Sequence, residues 1–327
     1  MSSRSPVLDS LDPVIAESRD VRTRPDRIVA CADWMAYEGF GPPASPFPLP
    51  WGTTDEETIN FLLAGNCINF AYTDFDTRVT FETGYAGRTW SDSDAMLVSI
   101  CRAVEDGVPF LDGDYLATVT RVDLEQVFRG TTEMPMLEER ARILNEVGRV
   151  LAESYGGRFH RFTASCAPRL YAGGDGLLER LVSQFPRFDD VSSYGSARPQ
   201  FFKLAQLALW MTYGSLHDGN RFPIEDIDRM TAFADYIVPV ALRVMGILEY
   251  SAELETAINA REEIPAGSPR EIELRAHGLY ATDLLRAELN ARRPADRQLI
   301  TPQVDARLWT HFRTTRWPHH LTRTTMY

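Results

Sequence analysis

The chain has 327 residues, 44% hydrophobic and 24% charged, which supplies enough apolar material for a large core. A formal net charge of −12 argues against a bound DNA or RNA polymer, yet leaves room for a local cationic pocket for one phosphate. Cys31, Cys67, Cys101 and Cys166 are far apart and without metal-ligand spacing, and no apolar run resembles a signal peptide or a membrane span. These features predict a cytoplasmic protein with reduced core thiols and without membrane or metal.

Taken in order, residues 1–12 are polar and are expected to be loose. Val14 to Met35 alternates apolar and charged groups at helical spacing. Gly41 to Trp51 carries five prolines and reads as an extended surface connector. Thr54-Asp55-Glu56-Glu57 is a capping box that opens a helix. Val79 to Tyr85 alternates with period two and meets Gly84 and Gly87, which predicts a short hairpin. Beyond Ser91 nearly everything reads as helix: Ser93 to Val104, Met136 to Tyr155, Leu177 to Phe185, Phe201 to Tyr213 and Ile224 to Leu248. A helix from Ser268-Pro269 to about Ala291 and another from Thr301-Pro302 complete the chain. The spacing predicts a mainly α protein, one helical domain over 1–327 with a small β element.

GxGxxG, GxxxxGK[ST] and GxSxG are absent, as is any strand–helix alternation, which disfavours nucleotide-binding and hydrolase sheets. The distinctive chemistry lies between Gln200 and Pro239. Lys203, Gln206 and Trp210 share one face of a helix that is otherwise Phe, Leu, Ala and Met. Asp235 sits between Phe233-Ala234 and Tyr236, four residues before Pro239, where the helix is expected to break or kink because proline has no N–H. Charges in such surroundings are costly to bury, so the two are candidates to face each other at a reactive site. Two plainer readings stand beside this one. A lysine at a helix start can snorkel to solvent, and an aspartate ahead of a helix can cap it.

Phe202-Lys203-x-Ala205-Gln206 followed by Phe233-Ala234-Asp235-Tyr236-x-x-Pro239 resembles the queuosine salvage family, the queuosine 5′-phosphate N-glycosidases. The likeness runs along much of the chain. It includes Asn69-Phe70, Pro135-x-Leu137-x-Glu139-Arg140, Phe185-Pro186-x-Phe188-x-Asp190, Glu271-x-Glu273-x-Arg275-Ala276 and Pro318-x-His320-x-x-Arg323-x-x-x-Tyr327. The chain departs from the family pattern at Ala71-Tyr72-Thr73 and from Asp92 to Met96. The resemblance implies hydrolysis of queuosine 5′-phosphate to queuine and ribose 5-phosphate, for salvage of queuine into tRNA modification, with no cofactor. It makes Asp235 the nucleophile, base or charge stabiliser and Lys203 its partner. Asn69, Phe70, Phe233 and Tyr236 become candidates for contacts to the base, and His320 and Arg323 for the phosphate. For the last two the plainer reading is solvated charge in the tail.

A Lys on one helix paired with an Asp at a later helix start is also reminiscent of helix-hairpin-helix DNA glycosylases. A base-excising glycosylase on a polynucleotide is therefore an alternative, opposed by the acidic charge and the lack of a Gly-rich hairpin. A non-catalytic helical scaffold is a second alternative, and it leaves Lys203 and Asp235 unexplained.

Overall fold

The computed structural model describes residues 4–41 and 54–327. In chain order its elements are α1 Pro6–Glu17, β1 Val21–Thr23, α2 Pro25–Met35, α3 Asp55–Asn66, β2 Glu82–Tyr85, β3 Arg88–Ser91, α4 Asp92–Glu105, α5 Gly113–Leu116, α6 Arg121–Val127, α7 Leu137–Tyr155, α8 Phe159–Ala164 and α9 Leu177–Gln184. There follow α10 Lys203–Ser215, α11 Ile237–Val244, β4 Leu248–Tyr250, α12 Ala252–Asn259, α13 Pro269–Arg292 and α14 Thr301–Phe312. Among the described residues the strands form only two antiparallel ribbons, β1 with β4 and β2 with β3. The mainly α expectation therefore holds. No helix is long and apolar enough to cross a membrane among the described residues.

Local chemistry explains most of the boundaries. Thr54 Oγ1 accepts from the Glu57 amide at 3.2 Å and Glu57 Oε2 accepts from the Thr54 amide at 3.1 Å, closing the expected box. The hairpin β2–β3 turns through Ala86 and Gly87, both at positive φ (50° and 77°), the conformation a two-residue loop needs. α7 ends on the left-handed Gly156. Three expectations change. Residues 6–12 are not loose, because Val7, Leu8, Leu11 and Val14 lie on one buried face of α1. The run from Val14 to Met35 is not one helix, since Pro25 opens α2 after the short strand β1. The run from Ile224 to Leu248 holds only a 3-10 turn, Ile227–Arg229, an extended stretch and α11. Most of the proline-rich connector lies outside the described residues.

The described residues fall into two compact units. The first comprises residues 4–41, 190–206 and 226–323. Its centre is α13, which is buried without a break from Glu271 to Leu279. α1, α2, α11 and α14 pack against that helix, and Val238, Leu242, Leu274, Leu285, Val304 and Leu308 belong to the shared core. The second unit holds α3–α9 with the hairpin. Here a Cβ on Gly148 of α7 would lie 2.2 Å from the Ala117 amide nitrogen, so only glycine lets α5 and α7 approach so closely. Cys31, Cys67 and Cys101 are buried free thiols and Cys166 is half-buried and free.

In the first unit Glu273 holds the entry to β1. Its carboxylate accepts from the amides of Arg19, Asp20 and Val21 at 2.7–3.2 Å and from the Tyr194 hydroxyl at 2.7 Å. It is 1% exposed. Glu273→Ala leaves these donors unpaired, and an expected loss of about 3 kcal/mol or more follows, with Glu273→Gln milder. Urea unfolding checks this, and a loss of less than about 1 kcal/mol for the alanine variant would contradict it.

Candidate active site

The first unit brings Lys203 and Asp235 together, by a chain of specific contacts. Asp190 precedes the Lys helix, and its carbonyl accepts from the Phe201 amide at 2.9 Å. Phe202 then takes a left-handed backbone (φ 48°), unusual for an aromatic residue, and α10 starts at Lys203. Gln206, one turn on, is fully buried. Its Nε2 donates to the Phe201 carbonyl at 3.0 Å and to Thr231 Oγ1 at 2.9 Å, and its Oε1 accepts from the Thr231 amide at 3.0 Å. The start of the Lys helix is thus tied to the extended stretch that leads to Asp235.

Arg275 on α13 makes a second tie. Its guanidinium forks onto both oxygens of Asp190, with Nη1–Oδ1 at 3.1 Å, and its Nε donates to the Ala234 carbonyl at 3.3 Å. The same group lies 4.0 Å from the centre of the Phe201 ring and 3.6 Å from Glu271. Residues on both sides of the Lys–Asp pair are therefore held by one fully buried arginine.

Asp235 Oδ1 accepts from the amides of Ile237 and Val238, both at 2.9 Å. These are the first two residues of α11, and the third, Pro239, has no amide hydrogen to satisfy. The capping reading is therefore correct for one oxygen of Asp235, and the proline marks a helix start rather than a kink. The buried-charge reading is also correct. Asp235 is 8% exposed and Lys203 6%, so the lysine does not snorkel. Burial raises the Asp235 carboxyl above its ordinary range, against the pull of the Lys203 ammonium and the two amides.

A third buried charge-bearing group was not foreseen. Asp305, on the first turns of α14, is 3% exposed, and its Oδ2 accepts from the Phe233 amide at 2.9 Å. Burial and then the charge of Asp235 raise its carboxyl well above the ordinary range, with the Phe233 amide and Lys203 opposing. The sequence carried a clue. Thr301, Val304, Asp305 and Leu308 share the buried stripe of α14, so this aspartate stands where an apolar residue belongs.

The other expected residues are distributed differently. Phe233 is buried beside Asp235, and the half-buried Tyr236 packs its ring 4.5 Å from that of His319. His320 is 3% exposed, and burial, followed by His319 and Arg275, lowers its pKa to about 3. Arg323 is exposed, 3.8 Å from Glu263. The two do not form a pair of cations at neutral pH, because burial keeps His320 uncharged. Asn69 and Phe70 belong to the second unit. The Asn69 amide donates to Asn66 Oδ1 at 2.9 Å and its carbonyl oxygen accepts from Tyr72. Phe70 is fully buried with the Arg140 guanidinium 4.4 Å from its ring centre. Arg140 donates to the carbonyls of Pro135, Ile68, Phe70 and Ala71, which fixes that segment. A surface cavity of about 290 Å³ lies elsewhere in the first unit, lined by Asp20, Glu262, Glu263 and Arg270, and includes neither Lys203 nor Asp235.

Fold and site together define a mainly α protein with a buried ammonium–dicarboxyl centre at the junction of one helix start and one turn. The chain belongs to the queuosine salvage protein family, whose model matches residues 49–327. It is 36% identical over 324 residues to a queuosine 5′-phosphate N-glycosylase/hydrolase of Sphaerobacter thermophilus, covering 98% of this chain and 97% of that one. Relatives of the same name occur in Bos taurus (32% identical, 71% of this chain and 68% of the relative) and Schizosaccharomyces pombe (28%, 93% and 90%).

The burial of His320 has a measurable consequence. Its folded pKa lies below its unfolded value of 6.5, so the stability it contributes is complete above 6.5 and drains as pH falls toward 3. Its share amounts to about 2 kcal/mol between pH 7 and pH 5. Urea unfolding at both pH values should show His320→Gln losing less stability than the unsubstituted chain, whatever its stability at pH 7. Equal losses would refute the neutral, buried imidazole.

Proposed function

We propose that this chain hydrolyses the N-glycosidic bond of queuosine 5′-phosphate, releasing queuine and ribose 5-phosphate, and acts as one glycosidase domain over its length. The observation that carries the reading is the buried Asp235–Lys203 pair. Support comes from the family match, which covers residues of both units, and from the names of the relatives.

Breaking the bond between the ribose anomeric carbon and the base nitrogen develops positive charge on the sugar. An ionised Asp235 in a dry setting stabilises that charge, captures the anomeric carbon or activates water. Lys203 favours the ionised form of Asp235 by its opposite charge, and the amides of Ile237 and Val238 hold that carboxylate at the start of α11. The leaving base is a 7-deazaguanine with carbon at position 7, so protonation at that atom is closed, and binding energy from its large substituent is available for the reacting bond. Phe233 and Tyr236 flank Asp235 and are the first candidates to meet the base. Because His320 is uncharged, Arg323 is the cation we assign to the phosphate, with His320 as a neutral hydrogen-bonding group.

Chromatography of a reaction with queuosine 5′-phosphate and a chelator should show free queuine, and none from folded protein would sink the reading. Asp235→Asn should lower kcat by about a thousandfold or more while retaining the fold and ligand binding. Near-normal turnover in that variant would remove Asp235 from its role.

A further inference from the structure

The first unit places two carboxyl groups, Asp235 and Asp305, where the cation acting on both is Lys203. The neighbouring Arg275 is already engaged by Asp190 and sits 3.6 Å from Glu271. The other charged groups near α14 have partners of their own. On α11, Arg243 meets Glu255 at 2.6 Å. On α13, Asp283 and Arg286 meet each other at 3.0 Å, and on α14 itself Arg307 meets Glu38 at 2.7 Å. His311 lies on the last turn of α14, away from Asp305 along the helix. Two buried anions against one ammonium would leave a charge uncompensated, a costly arrangement that a carboxyl group avoids by keeping its proton.

The hydrogen bonds say which of the two keeps it. Asp235 accepts two amide hydrogens on one oxygen, and each favours the ionised form. Asp305 accepts one, on Oδ2, which leaves Oδ1 to carry a proton. We propose that Asp305 is a positioning residue for the proposed hydrolysis: a neutral carboxylic acid that fixes the Phe233–Asp235 turn through the Phe233 amide and leaves Asp235 as the sole anion opposite Lys203. The position of its carboxyl explains why an acid, and not an apolar residue, occupies the buried stripe of α14. The direction of its titration agrees, since burial and the charge of Asp235 both hold the proton on.

The positioning role rests on the glycosidase reading, and the protonation does not, so the experiment has two arms. The first needs no turnover. Carboxyl carbon resonances of Asp235 and Asp305 are assigned through bonds from the backbone in the unsubstituted protein and followed there with pH. Asp305 should be protonated and Asp235 ionised at pH 7. A protonated Asp235, or two ionised groups, overturns the proposal even if every variant misfolds. The second arm is kinetic. Asp305→Ala, which orphans the Phe233 amide, should lower kcat about tenfold to a hundredfold, and Asp305→Asn, a neutral mimic of the acid, about threefold to tenfold. In the asparagine variant the alkaline limb of kcat/KM should move up by about one pH unit or more, because no second anion appears as pH rises. An unmoved limb, or an alanine variant as active as the parent, overturns the positioning role. Absence of queuine release by the unsubstituted protein would defeat the proposed function alone, and the first arm would still decide the protonation.

Discussion

The geometry of the first unit depends on Arg275. One planar guanidinium binds both oxygens of Asp190, the Ala234 carbonyl and the face of Phe201. Asp190 sets the start of the Lys helix, and Ala234 immediately precedes Asp235. A lysine could not replace this fork, because a point charge on a flexible stem cannot meet a carboxylate, a carbonyl and a ring at fixed angles. Arg275 can be buried because Asp190 meets it with both carboxylate oxygens. The cost of desolvating this pair is thereby spent on holding two distant stretches of chain in register.

A second constraint is charge balance in a dry site. Lys203, Asp235 and Asp305 are each less than a tenth exposed. In water three such groups would be indifferent to one another, whereas at low dielectric each sets the protonation of the next. The division of labour between the carboxyls then follows from amide geometry, two hydrogen bonds for Asp235 and one for Asp305. Burial, with the charges of His319 and Arg275 acting in the same direction, likewise removes the charge from His320.

Much of this was legible before any coordinates. The start of α13 announces itself in Ser268-Pro269, and the end of α7 in Gly156-Gly157. Lys203 and Asp235 stood out because their neighbours are apolar, and the structure buries both. α1 was hidden because serines, an arginine and aspartates mask the spacing of Val7, Leu8, Leu11 and Val14, and only tertiary burial reveals it. Asp305 escaped because a charged residue on an amphipathic helix reads as solvent-facing until its register is counted. The uncharged state of His320 is not legible locally, because the burial that removes its charge is a property of the packed chain. The structural duty of Asn69 and Phe70 escaped for a related reason, since it is defined by Arg140 some 70 positions away.

The latch between Glu273 and the amides of Arg19 to Val21 spans 252–254 positions of chain. A ribosome therefore exports α1, β1 and α2 long before the helix that buries them exists. During that interval the apolar faces of these two helices have no native partner, and closing so large a loop is slow. The amino-terminal segment thus carries exposed apolar faces through most of the chain's synthesis. Truncation at the carboxyl end, well away from Lys203 in sequence, would strand it permanently once α13 is lost.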